Sequence, residues 1–179
     1  MRSTIVSADA LPHLLRRFGF LTERYGFALT RTRVVPAGAW FASAAGTVVV
    51  SFDYLRDAAV DVTLQESPLG DAYLLSELLG ARGTTPARRT GLRAPAAFAA
   101  ELDLAALALE SECADFLRGD AAAFRAKHRE AMLVARCRRM ALGELRNHAP
   151  ERAAVLLAAM RGYWTPADRD AFELCAPTS

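Results

Sequence analysis

The side chains best suited to chemistry here are arginines gathered on one helix face. Residues 121 to 147 read as a single long helix. At about 100° per residue, Arg125, Arg129, Arg136 and Arg139 fall within an arc of about 80°. Met132 lies in the same arc. Phe124, Ala131, Ala135 and Leu142 flank the ridge on one side, and Leu133, Cys137 and Met140 on the other. Guanidinium forks match phosphates and carboxylates, so such a ridge suits nucleic acid or an acidic protein surface. The plainer reading is a solvated face that keeps an Ala-rich bundle in solution, and it is favoured because no aromatic residue alternates with the arginines.

A second basic cluster, Arg82, Arg88, Arg89 and Arg93, falls in the stretch GARGTTPARRTGLRA, residues 80–94. No strand precedes it and its glycines are far apart, so it makes a poor phosphate cradle. It reads as an ordinary surface loop, with Arg88 and Arg89 as its candidate contacts. Asp53, Asp57 and Asp61 surround a hairpin turn. They could bind a cation, but they read more simply as turn and solvent-facing positions, with Arg31 and Arg33 set to oppose Asp53 and Asp61 if the first strand lies near. Trp40 and Phe41, in a short strand expected at the sheet edge, and Trp164 are aromatics that either anchor a partner or cover the core.

No phosphate-binding, dinucleotide-binding, nucleophile-elbow or zinc-protease motif is present. His13, His128 and His148 lie on three separate predicted helices. Cys113, Cys137 and Cys175 are too scattered for a zinc site and read as free thiols in a reducing compartment. No cofactor or metal is expected.

These residues must be positioned by elements that the pattern names. Leu11, Leu14, Leu15, Phe18, Leu21 and Tyr25 form an apolar stripe that predicts one helix from Ala8 to Tyr25, closed by Gly26. Four strands are predicted over Phe27–Val35, Ala39–Ser43, Thr47–Tyr54 and Ala59–Gln65, with a break at Pro36-Ala37-Gly38. Val48, Val50 and Phe52, and then Val60, Val62 and Leu64, alternate as strands buried on one side do. Connections this short require an antiparallel meander. Ala72 to Leu79 predicts a short helix. Pro95 opens a long helix that stops at Gly119, and Asp120 caps the next. Pro150 starts a third, ended by Gly162, and Thr165-Pro166 starts the last.

The expected fold class is therefore α+β: an N-terminal helix, a four-stranded antiparallel meander and a C-terminal bundle of about four helices. The 179 residues suit one domain, with residues 80–94 as its one hinge, 53% hydrophobic residues to bury and 23% charged. The net charge of +2 argues against a surface devoted to nucleic acid. No run approaches the length of a membrane span, and the first ten residues lack a signal peptide's apolar core, so a cytoplasmic location without membrane contact is expected.

The layout carries a resemblance. A helix ending in Tyr25-Gly26-Phe27, a meander containing VVVSFDYLRDAAVDV, a helix closing on FLRGDAAAF and the tail WTPADRDAFELC together resemble a group of small uncharacterised bacterial proteins from high-GC genomes. The overall layout is also similar to immunity proteins of bacterial toxin systems. The resemblance implies a non-enzymatic, partner-binding role in a bacterial cytoplasm, with another protein, a toxin among the candidates, as partner. Immunity proteins against nucleases are acidic, whereas this chain is slightly basic, so a strongly basic nuclease is not the implied target. The alternatives are a nucleic-acid-associated protein that uses the arginine ridge, and a small enzyme whose site assembles only in space.

Overall fold

The computed structural model of the protein describes residues 7–53, 59–66, 70–81 and 95–175. The fold class is α+β. Helices α1 (Ser7–Arg17) and α2 (Phe20–Tyr25) precede strands β1 (Ala28–Arg33), β2 (Ala37–Ser43), β3 (Gly46–Asp53), β4 (Ala59–Gln65) and β5 (Ala72–Leu74). Helices α3 (Leu75–Ala81), α4 (Pro95–Glu112), α5 (Ala114–Leu117), α6 (Ala121–Arg146), α7 (Pro150–Ala159) and α8 (Pro166–Cys175) follow.

The strands pair antiparallel in the order β1-β2-β3-β4-β5, so the meander has five strands rather than four. The added strand comes from residues expected to be helical. Ala72, Tyr73 and Leu74 alternate exposed, buried, exposed and pair with Gln65, Leu64 and Thr63, and the helix starts only at Leu75. A free hydrogen-bonding edge on β4 outweighs the weak helix preference of three residues.

Several boundaries also move. The N-terminal helix breaks at Phe18-Gly19, and Gly26, with φ +70, closes α2 as expected. Ala37 and Gly38 belong to β2, which leaves Val34-Val35-Pro36 as the turn. The helix opened by Pro95 ends at Glu112, and Cys113 leads into the single turn of α5. Asp120 caps α6 as predicted, its carboxylate accepting the Ala123 N–H at 3.0 Å.

The chain divides into two compact units, Met1–Ser76 with Pro86–Arg125, and Glu77–Thr85 with Ala126–Ser179. In the first, α1 and α4 pack on one face of the sheet. Leu14, Phe18, Phe41, Val48, Val50, Phe52, Leu64, Phe98 and Leu109 are almost wholly buried there. Phe52 and Phe98 meet at 4.5 Å between ring centroids, joining β3 to α4. Helices α4 and α5, expected as one helix of the C-terminal bundle, thus belong with the sheet.

In the second unit Val134, Ala141, Leu157 and Met160 form a small core, with Cys137, Trp164 and Phe172 packed against it. Trp164 donates its indole N–H to the Leu157 carbonyl at 2.7 Å and stacks on Phe172 at 4.8 Å. It is a core cover. Arg138, only 15% exposed, holds this unit together. Its Nε lies 2.9 and 3.0 Å from the two oxygens of Asp168, and its other nitrogens reach the carbonyls of Ala81 and Tyr163. Among the described residues no helix is long and apolar enough to cross a membrane.

Candidate functional site

Residues opposite one another in paired strands share a face of the sheet. Leu29, Phe41, Val48, Leu64 and Tyr73 form one such row, on the face that α1 and α4 cover. The row on the other face is Arg31, Trp40, Val49, Thr63 and Leu74. Beside it run Arg33, Gly38, Ser51 and Asp61. This second face is open: Trp40, Val49, Ser51 and Thr63 are only partly covered, and Asp61 and Leu74 are exposed.

Among the described strand residues Trp40 is the one large aromatic on that face, and Gly38, two residues earlier on the same side of β2, lets it lie flat. A Cβ on Gly38 would sit 3.2 Å from the indole ring. Arg31 faces Trp40 and Arg33 faces Gly38, so a ring reaching from one position to the other meets both. Their guanidinium carbons lie 4.9 and 5.6 Å from the ring centroid. Arg33 Nε also donates to the Pro36 carbonyl at 3.1 Å, and Thr30 bonds the Trp40 carbonyl. The two arginines are held, not loose.

Their charges are unanswered. Four other arginines each meet a carboxylate: Arg17 with Asp103, Arg24 with Glu110, Arg125 with Glu66 and Arg138 with Asp168. Among the described residues, no carboxylate pairs with Arg31 or Arg33. The expected opposition to Asp61 fails on strand order, and the side chain of Asp53 lies outside the described residues. β1 and β4 are three strand spacings apart, about 14 Å. Asp57 lies outside the described residues.

The edge strand completes the site. All six residues of β1 are exposed, and among the described residues the strand pairs only with β2. Leu29, Val34 and Val35 add exposed apolar surface along it, at 45%, 48% and 59%. Trp40 itself stands on β2, between β1 and β3, and not on the edge where it was expected. Phe41, its neighbour, is buried in the core.

The helix ridge fares differently. Arg125 is committed to Glu66, 2.6 Å away, and Glu66 also accepts the Tyr73 hydroxyl at 2.9 Å. Burial, then the hydrogen bond and charge of Glu66, push the Tyr73 phenol up to about 12, which keeps it neutral and unreactive. Arg129, Arg136 and Arg139 are exposed on α6 without an ion pair among the described residues. Leu133 and Met140, read as an apolar flank, stand 63% and 47% exposed beside them. Arg88 and Arg89 lie outside the described residues.

His13 is exposed and touches Phe98 edge-on, and His148 sits at the α6–α7 junction with φ +56. No group of His, Cys, Asp or Glu among the described residues is arranged to hold a metal.

Of these features, sequence reading named Trp40 but missed its partners. Arg31 and Arg33 alternate on one strand, and Gly38 and Trp40 alternate on the next. That signal becomes informative only once β1 and β2 are paired in register. Comparison of the chain with protein-family models, curated proteins and solved structures finds no match. The functional reading therefore rests on the site alone.

Proposed function

We propose that this chain is a non-catalytic protein-binding module that covers part of its partner with the β1 edge and the adjoining open sheet face. One observation carries the reading. An exposed edge strand presents two arginines, stacked on Trp40 and lacking carboxylate partners among the described residues, and leads into exposed Val34 and Val35. Mixed aromatic, arginine and apolar surface of this kind is the usual chemistry of protein contacts. The α6 face adds support, since exposed Leu133 and Met140 interleave with Arg129 and Arg136. Apolar residues among the arginines suit a protein surface better than a phosphate backbone.

Masking a toxin, as an immunity protein does, is the narrowest form of this proposal. The test is co-purification with the product of the adjacent gene, or from lysate of the source cell, using a photo-crosslinker at Thr32. One stoichiometric protein, lost on Val35→Asp, is the expected result. Capture of no protein, or capture indifferent to Val35→Asp, overturns the reading.

A further inference from the structure

We propose that the occupant of β1 is an extended acidic segment of the partner, which adds to the sheet as a sixth strand and sets carboxylates from alternate positions against Arg31 and Arg33. The inference rests on the protein-binding reading above and names the chemistry of the partner.

Geometry supplies the first argument. β1 bonds β2 along one edge, and its other edge has no backbone hydrogen bond among the described residues. Peptide groups of an added strand satisfy such an edge, as in strand-addition recognition. Arg31 and Arg33 are two residues apart, so their Cα atoms stand roughly 6.6 Å apart along the strand. Side chains at positions i and i+2 of an extended peptide repeat at the same spacing and on one face. Two carboxylates at alternate positions therefore match two guanidinium groups in register.

Charge and preorganisation supply the second. Trp40 holds both guanidinium groups in place, and Arg33 is further tied to the Pro36 carbonyl. A ligand then orders few new torsions on binding. A bulge between Leu29 and Arg31 limits the regular edge to its last residues, and exposed Val34 and Val35 extend the contact with apolar surface. Single-stranded nucleic acid fits less well. Guanidinium groups already lie over the indole, where a base would stack, and a phosphodiester chain makes no use of a strand edge.

The probe is a fluorescent peptide of alternating Glu and Val, compared with its Lys-for-Glu analogue, with a version N-methylated along one edge, and with a short oligothymidylate. The Glu peptide is expected to bind and to slow amide exchange in β1. Arg31→Ala with Arg33→Ala should weaken it roughly tenfold or more. Both side chains are exposed, so the double variant should keep its circular dichroism. N-methylation should weaken binding to a similar extent. Binding indifferent to the double substitution or to N-methylation, or tighter binding of the oligothymidylate, overturns the inference. A silent peptide alongside partner capture that still depends on Val35 overturns the acidic strand alone. A silent peptide together with loss of that dependence removes the protein-binding reading as well.

Discussion

Arg138 and Asp168 form a two-pronged ion pair, with Nε at 2.9 and 3.0 Å from the two carboxylate oxygens and a terminal nitrogen at 2.9 Å. The same carboxylate accepts the backbone N–H and the hydroxyl of Thr165, both at 2.8 Å, while the Asp168 N–H returns a bond to the Thr165 oxygen. One buried carboxylate thus caps α8 and anchors the arginine that gathers the chain around it. Breaking a buried pair from one side costs about 3–5 kcal/mol. Arg138→Met should lower stability by that order in denaturant titration. A double Arg138→Met, Asp168→Leu variant should lose less than the sum of the two single changes.

The same pair sets an acid limit. Burial raises the Asp168 carboxyl, but the Arg138 hydrogen bonds, both Thr165 bonds and the Arg138 charge outweigh it and hold the group below the ordinary aspartate range. The unfolded chain then binds more protons in acid. The contribution of the pair is present above about pH 4 and is lost as pH falls through the lower, folded value. Stability measured against pH should show this acid loss, and Asp168→Asn should flatten it.

Tyr73 sets an alkaline counterpart. Its phenol is pushed up to about 12, so the folded state keeps a proton that the unfolded chain releases near 10. Its stabilising effect is full below about pH 10 and declines as pH rises towards 12. Tyrosinate absorbance should show Tyr73 titrating late. Glu66→Gln should bring that titration down.

Gly46 opens β3 with φ +138, and a Cβ there would collide with the Gln65 carbonyl oxygen and crowd the Phe116 ring. Gly46→Ala should cost at least about 1 kcal/mol, with the lowered denaturation midpoint as the check. Gly38→Val should leave the core intact but lift Trp40 away from the two arginines, which a change in tryptophan fluorescence would report.

The exposed arginines of α6 make the opposite prediction. Arg129→Ala, Arg136→Ala and Arg139→Ala together should change stability by no more than about 0.5 kcal/mol each. Salt-sensitive binding of a mixed oligonucleotide, lost in the triple variant, would favour a nucleic-acid role.

Local rules made much of the fold legible. The alternation of Val48, Val50 and Phe52 named a half-buried strand, Gly26 and Asp120 closed and opened helices, and Thr165-Pro166 announced α8. Each of these signals is carried by neighbours a few residues apart. β5 is not legible locally because Ala72, Tyr73 and Leu74 run straight into the leucine-rich helical stretch that ends at Ala81, and only the free edge of β4, seven or more residues away, makes them a strand.

The sequence by itself therefore determined the class, the order of the main elements and which faces are apolar, since those follow from periodicity and caps. Tertiary structure alone decided which charges are spent and which remain. Pairing across the chain gives Arg125 to Glu66 and Arg138 to Asp168, whereas strand order carries Arg31 and Arg33 away from Asp61 and lays them on Trp40. Coulombic partnership depends on distance in space, and a sequence records only distance along the chain.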